Sequence, residues 1–126
     1  MHKILVVDDE DYVHRLLQHY LQRAGYQLVS AHNGREALDV AIRELPELII
    51  MDVMMAEMDG ITAIRKLKED ELTRKIPVIV ITANPAYHIS RDESQVCGAQ
   101  LFLTKPFSPA QLMEAIRQIL PDAKDS

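Results

Sequence analysis

The sequence predicts an α/β fold, a doubly wound five-stranded parallel sheet with five helices. Two observations carry that prediction. Five short apolar runs rich in β-branched residues recur along the chain: KILVV (3–7), QLVSA (27–31), LIIM (48–51), PVIVIT (77–82) and LFLT (101–104). Runs this continuous fit strands covered on both faces, as in parallel sheets. Between the runs the apolar residues take helical spacing, and strands alternating with helices imply right-handed crossovers.

Each helix has its own justification. Val13, Leu16, Leu17, Tyr20, Leu21 and Ala24 keep to one face over three turns, and Gly25 stops that helix. Asn33 followed by Glu36 has the form of a capped start, with Ala37, Leu38, Ala41 and Leu45 behind it on one face. Residues 60–69 contribute Ile61, Ile64, Leu67 and the stem of Lys68. The stretch PAYHISRDESQVC (85–97) is polar and only weakly periodic, and the fifth helix is expected there. Ser108, Pro109 and Gln111 combine an N-cap, a proline at the first helical position and a capping-box partner, ahead of Leu112, Ala115, Ile116 and Ile119.

A chain of 126 residues suffices for one domain with a single sizeable core. Residues 1–121 are expected to form it, with 122–126 a frayed tail. The net charge of -5 argues against a nucleic-acid or membrane surface as partner, since both favour a basic face. One cysteine, Cys97, excludes an internal disulfide and suits a reducing cytoplasm. No apolar run reaches membrane-spanning length, and the acidic MHKILVVDDE does not read as a signal peptide. A cytoplasmic location is expected.

In open α/β sheets the ligand site lies beyond the carboxyl ends of the strands. Asp8 and Asp9 follow the first strand, Asp52 closes the third, Thr82 the fourth, and Lys105 follows the fifth. All are expected on one rim. Two like charges ~4 Å apart repel by about 4 kcal/mol at an effective dielectric near 20, so gathered carboxylates there need a shared proton or a cation. Mg²⁺ suits such oxygen ligands and leaves positions for water and phosphate. A carboxylate can also attack phosphorus to give an aspartyl phosphate, a reaction that asks the protein for positioning and for a cation and a hydroxyl on the phosphoryl oxygens.

Four motifs in order, VVDDE (6–10), LIIMDVMMAEMDG (48–60), VIVITA (78–83) and GAQLFLTKPF (98–107), carry a resemblance along the whole chain. The sequence resembles a response-regulator receiver domain of two-component signalling, of the chemotaxis-regulator kind. The resemblance implies a flavodoxin-like sheet of order 2-1-3-4-5 and Asp52 as phospho-acceptor. It implies Mg²⁺ held by Asp9, Asp52 and the backbone carbonyl of Met54, with Asp8 acting through a metal-bound water. Lys105 would pair with the phosphoryl group, while the Thr82 hydroxyl and the Ala83 N–H would donate hydrogen bonds to it. Thr82 and Phe102 fall where the family keeps its switch residues, and Lys105-Pro106 where it commonly has a cis peptide. The implied partners are a histidine kinase or histidine phosphotransfer protein and a downstream effector protein.

The chain departs from the family pattern at several positions. Ala56 replaces a usual proline, Phe102 lacks the hydroxyl of the commoner tyrosine, and Gln100 and Leu101 stand where charge-paired dimers are often acidic. The five histidines (2, 14, 19, 32 and 88) lack ligand spacing and are expected on the surface. Three alternatives compete with the signalling reading: an aspartyl-phosphate hydrolase, a flavin or nucleotide carrier on the same fold (for which the sequence has no Gly-x-Gly-x-x-Gly or Walker A loop), and a degenerate receiver serving only as an interaction module. The hydrolase needs a second aspartate two residues after the nucleophile, where Met54 stands; the module would not need the complete acidic and cationic set. The residues after 120 are too few for an effector domain, so output is expected through protein contact, unless the chain is a piece of a larger protein.

Overall fold

The computed structural model describes residues 2–52, 60–82, 101–104 and 107–120. The predicted helix over 85–97, the cysteine Cys97, the tail and the site residues Met54, Ala83, Lys105 and Pro106 lie outside them, as do His88, Ala56 and Gln100.

The elements run β1 (Lys3–Val7), α1 (Asp11–Arg23), β2 (Gln27–Ala31), α2 (Gly34–Glu44), β3 (Leu48–Asp52), α3 (Gly60–Glu69), β4 (Val78–Thr82), β5 (Leu101–Thr104) and α4 (Pro109–Ile119). The five strands pair in parallel in the order β2-β1-β3-β4-β5, as expected. Strand limits agree with the apolar runs to within one residue.

Alternation along the strands divides the core into two layers. Leu5, Val7, Ile49, Met51, Val78 and Val80 pack with residues of α2 and α3, including Ala37, Ala41, Ile64 and Leu67. Ile4, Val6, Leu48, Ile50, Ile79 and Ile81 pack with residues of α1 and α4, including Leu17, Leu21, Leu112 and Ile116. The central strands are buried on both faces, which explains their lack of polar alternation.

The helix signals operate as their chemistry suggests. Asn33 accepts from the Glu36 N–H, and Ser108 and Gln111 close a full reciprocal capping box around Pro109. Gly25 follows α1 with φ +91, a left-handed conformation that glycine adopts without steric cost.

Three residues depart from expectation. Leu16 is 44% exposed, because the buried stripe of α1 runs through Val13, His14, Leu17 and Leu21 instead. Leu45 is 50% exposed: it is the left-handed C-cap of α2 (φ 47), so it leaves the helical face and Val40 fills the core. His14, expected at the surface, is only 7% exposed.

Candidate functional site

The order of the sheet sets where the site falls. The chain steps from β1 out to β2 and then back past β1 to β3, so the crossovers diverge between β1 and β3 and leave a crevice at their carboxyl ends. Val7 pairs with Met51, so Asp8 and Asp52 leave these adjacent strands side by side. Parallel neighbours lie about 4.8 Å apart. Both residues continue the alternation of Val6 and Ile50, which assigns them to the face covered by α1 and α4. Asp8 is 1% exposed and Asp52 5%. Two carboxylates so enclosed at one crevice are costly unless hydrogen-bonded or matched by a cation.

The turn from β1 into α1 brings more acid to the same place. Carboxylate oxygens of Asp8, Asp9 and Glu10 all lie within 4.8 Å of one another, with Asp9 and Glu10 open to solvent. The loop is held by its backbone: the Asp8 N–H donates to Ala31 O at 3.1 Å, extending the β1–β2 ladder. The Glu10 N–H donates to Asp8 Oδ1 at 2.9 Å, and the Val13 N–H to Glu10 O at 3.1 Å. Asp11, in the first turn of α1, puts a fourth carboxylate where the helix dipole favours negative charge.

Of the residues singled out from sequence, the structure brings Asp8, Asp9 and Asp52 to one rim and sets the backbone of Thr82 at the end of β4, on a rung with Thr104. Asp52 is paired across the sheet with Ile81, the residue before Thr82. Phe102 occupies the middle of β5 opposite Val80. A purely oxygen donor set, converging within 4.8 Å and partly open to water, fits a hard divalent cation such as Mg²⁺.

Two supporting side chains escaped the sequence reading. His14 Nε2 lies 2.7 Å from Asp8 O, and its Nδ1 lies 3.0 Å from Ser30 Oγ. The spacing of His14, Leu17 and Leu21 (i, i+3, i+7) was the available signal, since it puts the histidine on the buried stripe. Beside it, the His32 ring is 4.5 Å from that of His14, with its nitrogens 3.2 Å from Asp11 Oδ1 and 3.3 Å from Glu36 Oε1.

Residues 4–117 match the family described as the response regulator receiver domain. The chain belongs to that family. Among curated relatives, it is 44% identical over 117 residues to the response regulator PleD of Caulobacter vibrioides, covering 93% of this chain and 26% of that protein. It is 38% identical over 122 residues to the alkaline phosphatase synthesis transcriptional regulatory protein PhoP of Bacillus subtilis, covering 94% of this chain and 48% of that one. The chain thus spans half or less of the length of these relatives. Among solved structures, it resembles the receiver domain of a sensor histidine kinase from Pseudomonas aeruginosa, which holds a magnesium ion in its active-site cleft. That likeness has a TM-score of 0.85 at 28% identity and covers 95% of this chain and 98% of the other. The chain is therefore a receiver domain of two-component signalling, with the flavodoxin-like sheet of that family. Among the described residues no helix is long and apolar enough to cross a membrane.

Proposed function

We propose that Asp52 accepts a phosphoryl group from a histidine kinase or histidine phosphotransfer protein, and that the phosphorylated domain, residues 1–121, presents an altered surface to a downstream effector protein in the cytoplasm. The observation that carries this reading is the enclosure of Asp52 and Asp8 at the ends of adjacent strands, beside the carboxylate cluster of Asp8, Asp9 and Glu10. Asp9, Asp52 and the carbonyl of Met54 would hold Mg²⁺, with Asp8 acting through a bound water. When bound, the ion neutralises charge on the phosphoryl oxygens.

A carboxylate oxygen of Asp52 attacks phosphorus in line. The new P–O bond forms as the P–N bond to the donor imidazole breaks, and the departing nitrogen keeps the electron pair. The Lys105 ammonium offsets the charge of the transferred group, and the Thr82 hydroxyl and Ala83 N–H donate hydrogen bonds to its oxygens. Thr82 and Phe102 then carry the change toward the face made by the helix expected over 85–97, β5 and α4. Loss of the phosphoryl group needs water opposite the Asp52 oxygen. Met54 offers that water no amide or acid, so the modified state should persist, and Met54→Asn should shorten its measured lifetime.

Incubating the protein with a small phosphodonor and Mg²⁺, followed by intact mass measurement, tests the proposal. A phosphoryl-sized mass gain that decays slowly is expected. Rapid catalytic turnover of the donor without accumulation would instead favour a hydrolase, and no mass gain would favour a module used only for contacts.

A further inference from the structure

A buried polar contact beneath the rim is made by a residue outside the acidic set. Only 7% of His14 is exposed, yet both its ring nitrogens are engaged. Its Nε2 faces Asp8 O at 2.7 Å, and a carbonyl only accepts, so Nε2 carries the hydrogen. Nδ1 is then the acceptor in the neutral ring, and the Ser30 hydroxyl donates to it at 3.0 Å. The chain of bonds runs from β2 (Ser30) through α1 (His14) to the carbonyl of the Asp8–Asp9 peptide.

Asp8 is thus held at its N–H by Ala31 O, at Oδ1 of its carboxylate by the Glu10 N–H, and at its carbonyl by His14. The orientation of the Asp8–Asp9 peptide decides where the exposed Asp9 carboxylate stands relative to its neighbours. The bonds at the Asp8 N–H and carboxylate restrain the loop on either side of this peptide, and a donor on the carbonyl acts on the peptide's rotation directly.

We infer that His14 is a positioning residue: acting through the Asp8 carbonyl and oriented by Ser30, it holds the acidic loop in the arrangement that binds the divalent cation. The inference rests on the reading of the rim as a cation and phosphoryl site. Partners that orient ligating groups without touching the metal typically account for a factor of about 10–100 in metal affinity.

The test compares the whole chain as wild type, His14→Phe, His14→Gln and Ser30→Ala. Magnesium affinity is read by calorimetric titration, and amide exchange at Glu10 is read in the metal-free protein. His14→Phe keeps a buried ring without the donor. It should weaken Mg²⁺ binding about 10-fold or more and speed exchange at the Glu10 amide, which is bonded to Asp8 Oδ1. His14→Gln, whose amide can donate to the same carbonyl, should recover most of the affinity, which a loss of packing alone would not predict. Ser30→Ala should show a several-fold loss, and it decides the matter if His14→Phe does not fold. Wild-type affinity in His14→Phe, equal losses in the Phe and Gln variants, or wild-type affinity in Ser30→Ala would overturn the inference. If the wild type itself binds no Mg²⁺, the cation reading of the rim fails separately, and unchanged amide exchange in His14→Phe overturns the positioning role by itself.

Discussion

At the amino-terminal edge of the sheet, acids are set against bases. Lys3 Nζ lies 2.9 Å from Glu44 Oε1, and His2 hydrogen-bonds Glu47, whose other carboxylate oxygen accepts the Lys3 N–H at 3.1 Å. At the carboxyl-terminal edge, Asp8, Asp9 and Glu10 bring their carboxylates within 4.8 Å of one another, and Asp52 ends the neighbouring strand. One edge neutralises its charge within the chain, while the other concentrates it. The ion pairs of the first edge are partly open to water, where screening and side-chain entropy keep the contribution of each pair small. Clustered carboxylates carry a repulsion that the folded chain must hold in check, so the second edge is where an added cation has most to offer.

The largest expected effect breaks that comparison if it is absent. Mg²⁺ should stabilise the protein against thermal or urea unfolding, by about 2.7 kcal/mol when the free ion is at 100 times its dissociation constant. Asp9→Ala should abolish the gain, and Glu44→Gln should leave it intact. Melts with and without the metal check all three proteins.

A smaller effect concerns sign. In metal-free protein, Asp9→Asn removes one of the crowded charges from an exposed position and should raise stability by about 1 kcal/mol, within the usual range of surface-charge optimisation. The same carboxylate-to-amide change at Glu44 removes a charge that faces Lys3, so stability should fall slightly. Urea titrations with a chelator present measure both, and shifts of the same sign would contradict the division between the edges.

The smallest effect is on pH dependence. The hydrogen bond and charge of Lys3, the largest influence, hold the Glu44 carboxyl below its ordinary value of 4.5, with Arg43 acting in the same direction. A group whose pKa is depressed by folding contributes stability above its unfolded value and loses it as pH falls through the folded one. Lys3→Ala should therefore flatten the acid limb of the stability curve below about pH 4.5 without altering phosphorylation, as unfolding followed across acid pH would show.

How much of this was legible beforehand follows from where the information sits. The strands were legible because a doubly covered strand needs an unbroken apolar run, and the caps because Asn33, Ser108 and Gln111 satisfy helix-end amides through their own side chains. The convergence of Asp8, Asp9 and Asp52 followed from strand ends alone. The burial of His14 had a signal in its spacing with Leu17 and Leu21, but its partners were not legible: Ser30 and the Asp8 carbonyl lie 16 and 6 residues away and meet it only through the packing of α1 on the sheet. Leu45 misled for the opposite reason: its spacing is helical, but the left-handed cap turns it outward.

The central claim is that this concentrated charge serves chemistry at one residue, Asp52. It is tested most directly by locating the modification. After reaction with a small phosphodonor and Mg²⁺, borohydride reduction converts an aspartyl phosphate to homoserine, and peptide mass spectrometry reads its position. Homoserine is expected at residue 52 and no modification in Asp52→Asn; homoserine at Asp8, Asp9 or elsewhere, or undiminished labelling of Asp52→Asn, would contradict the account.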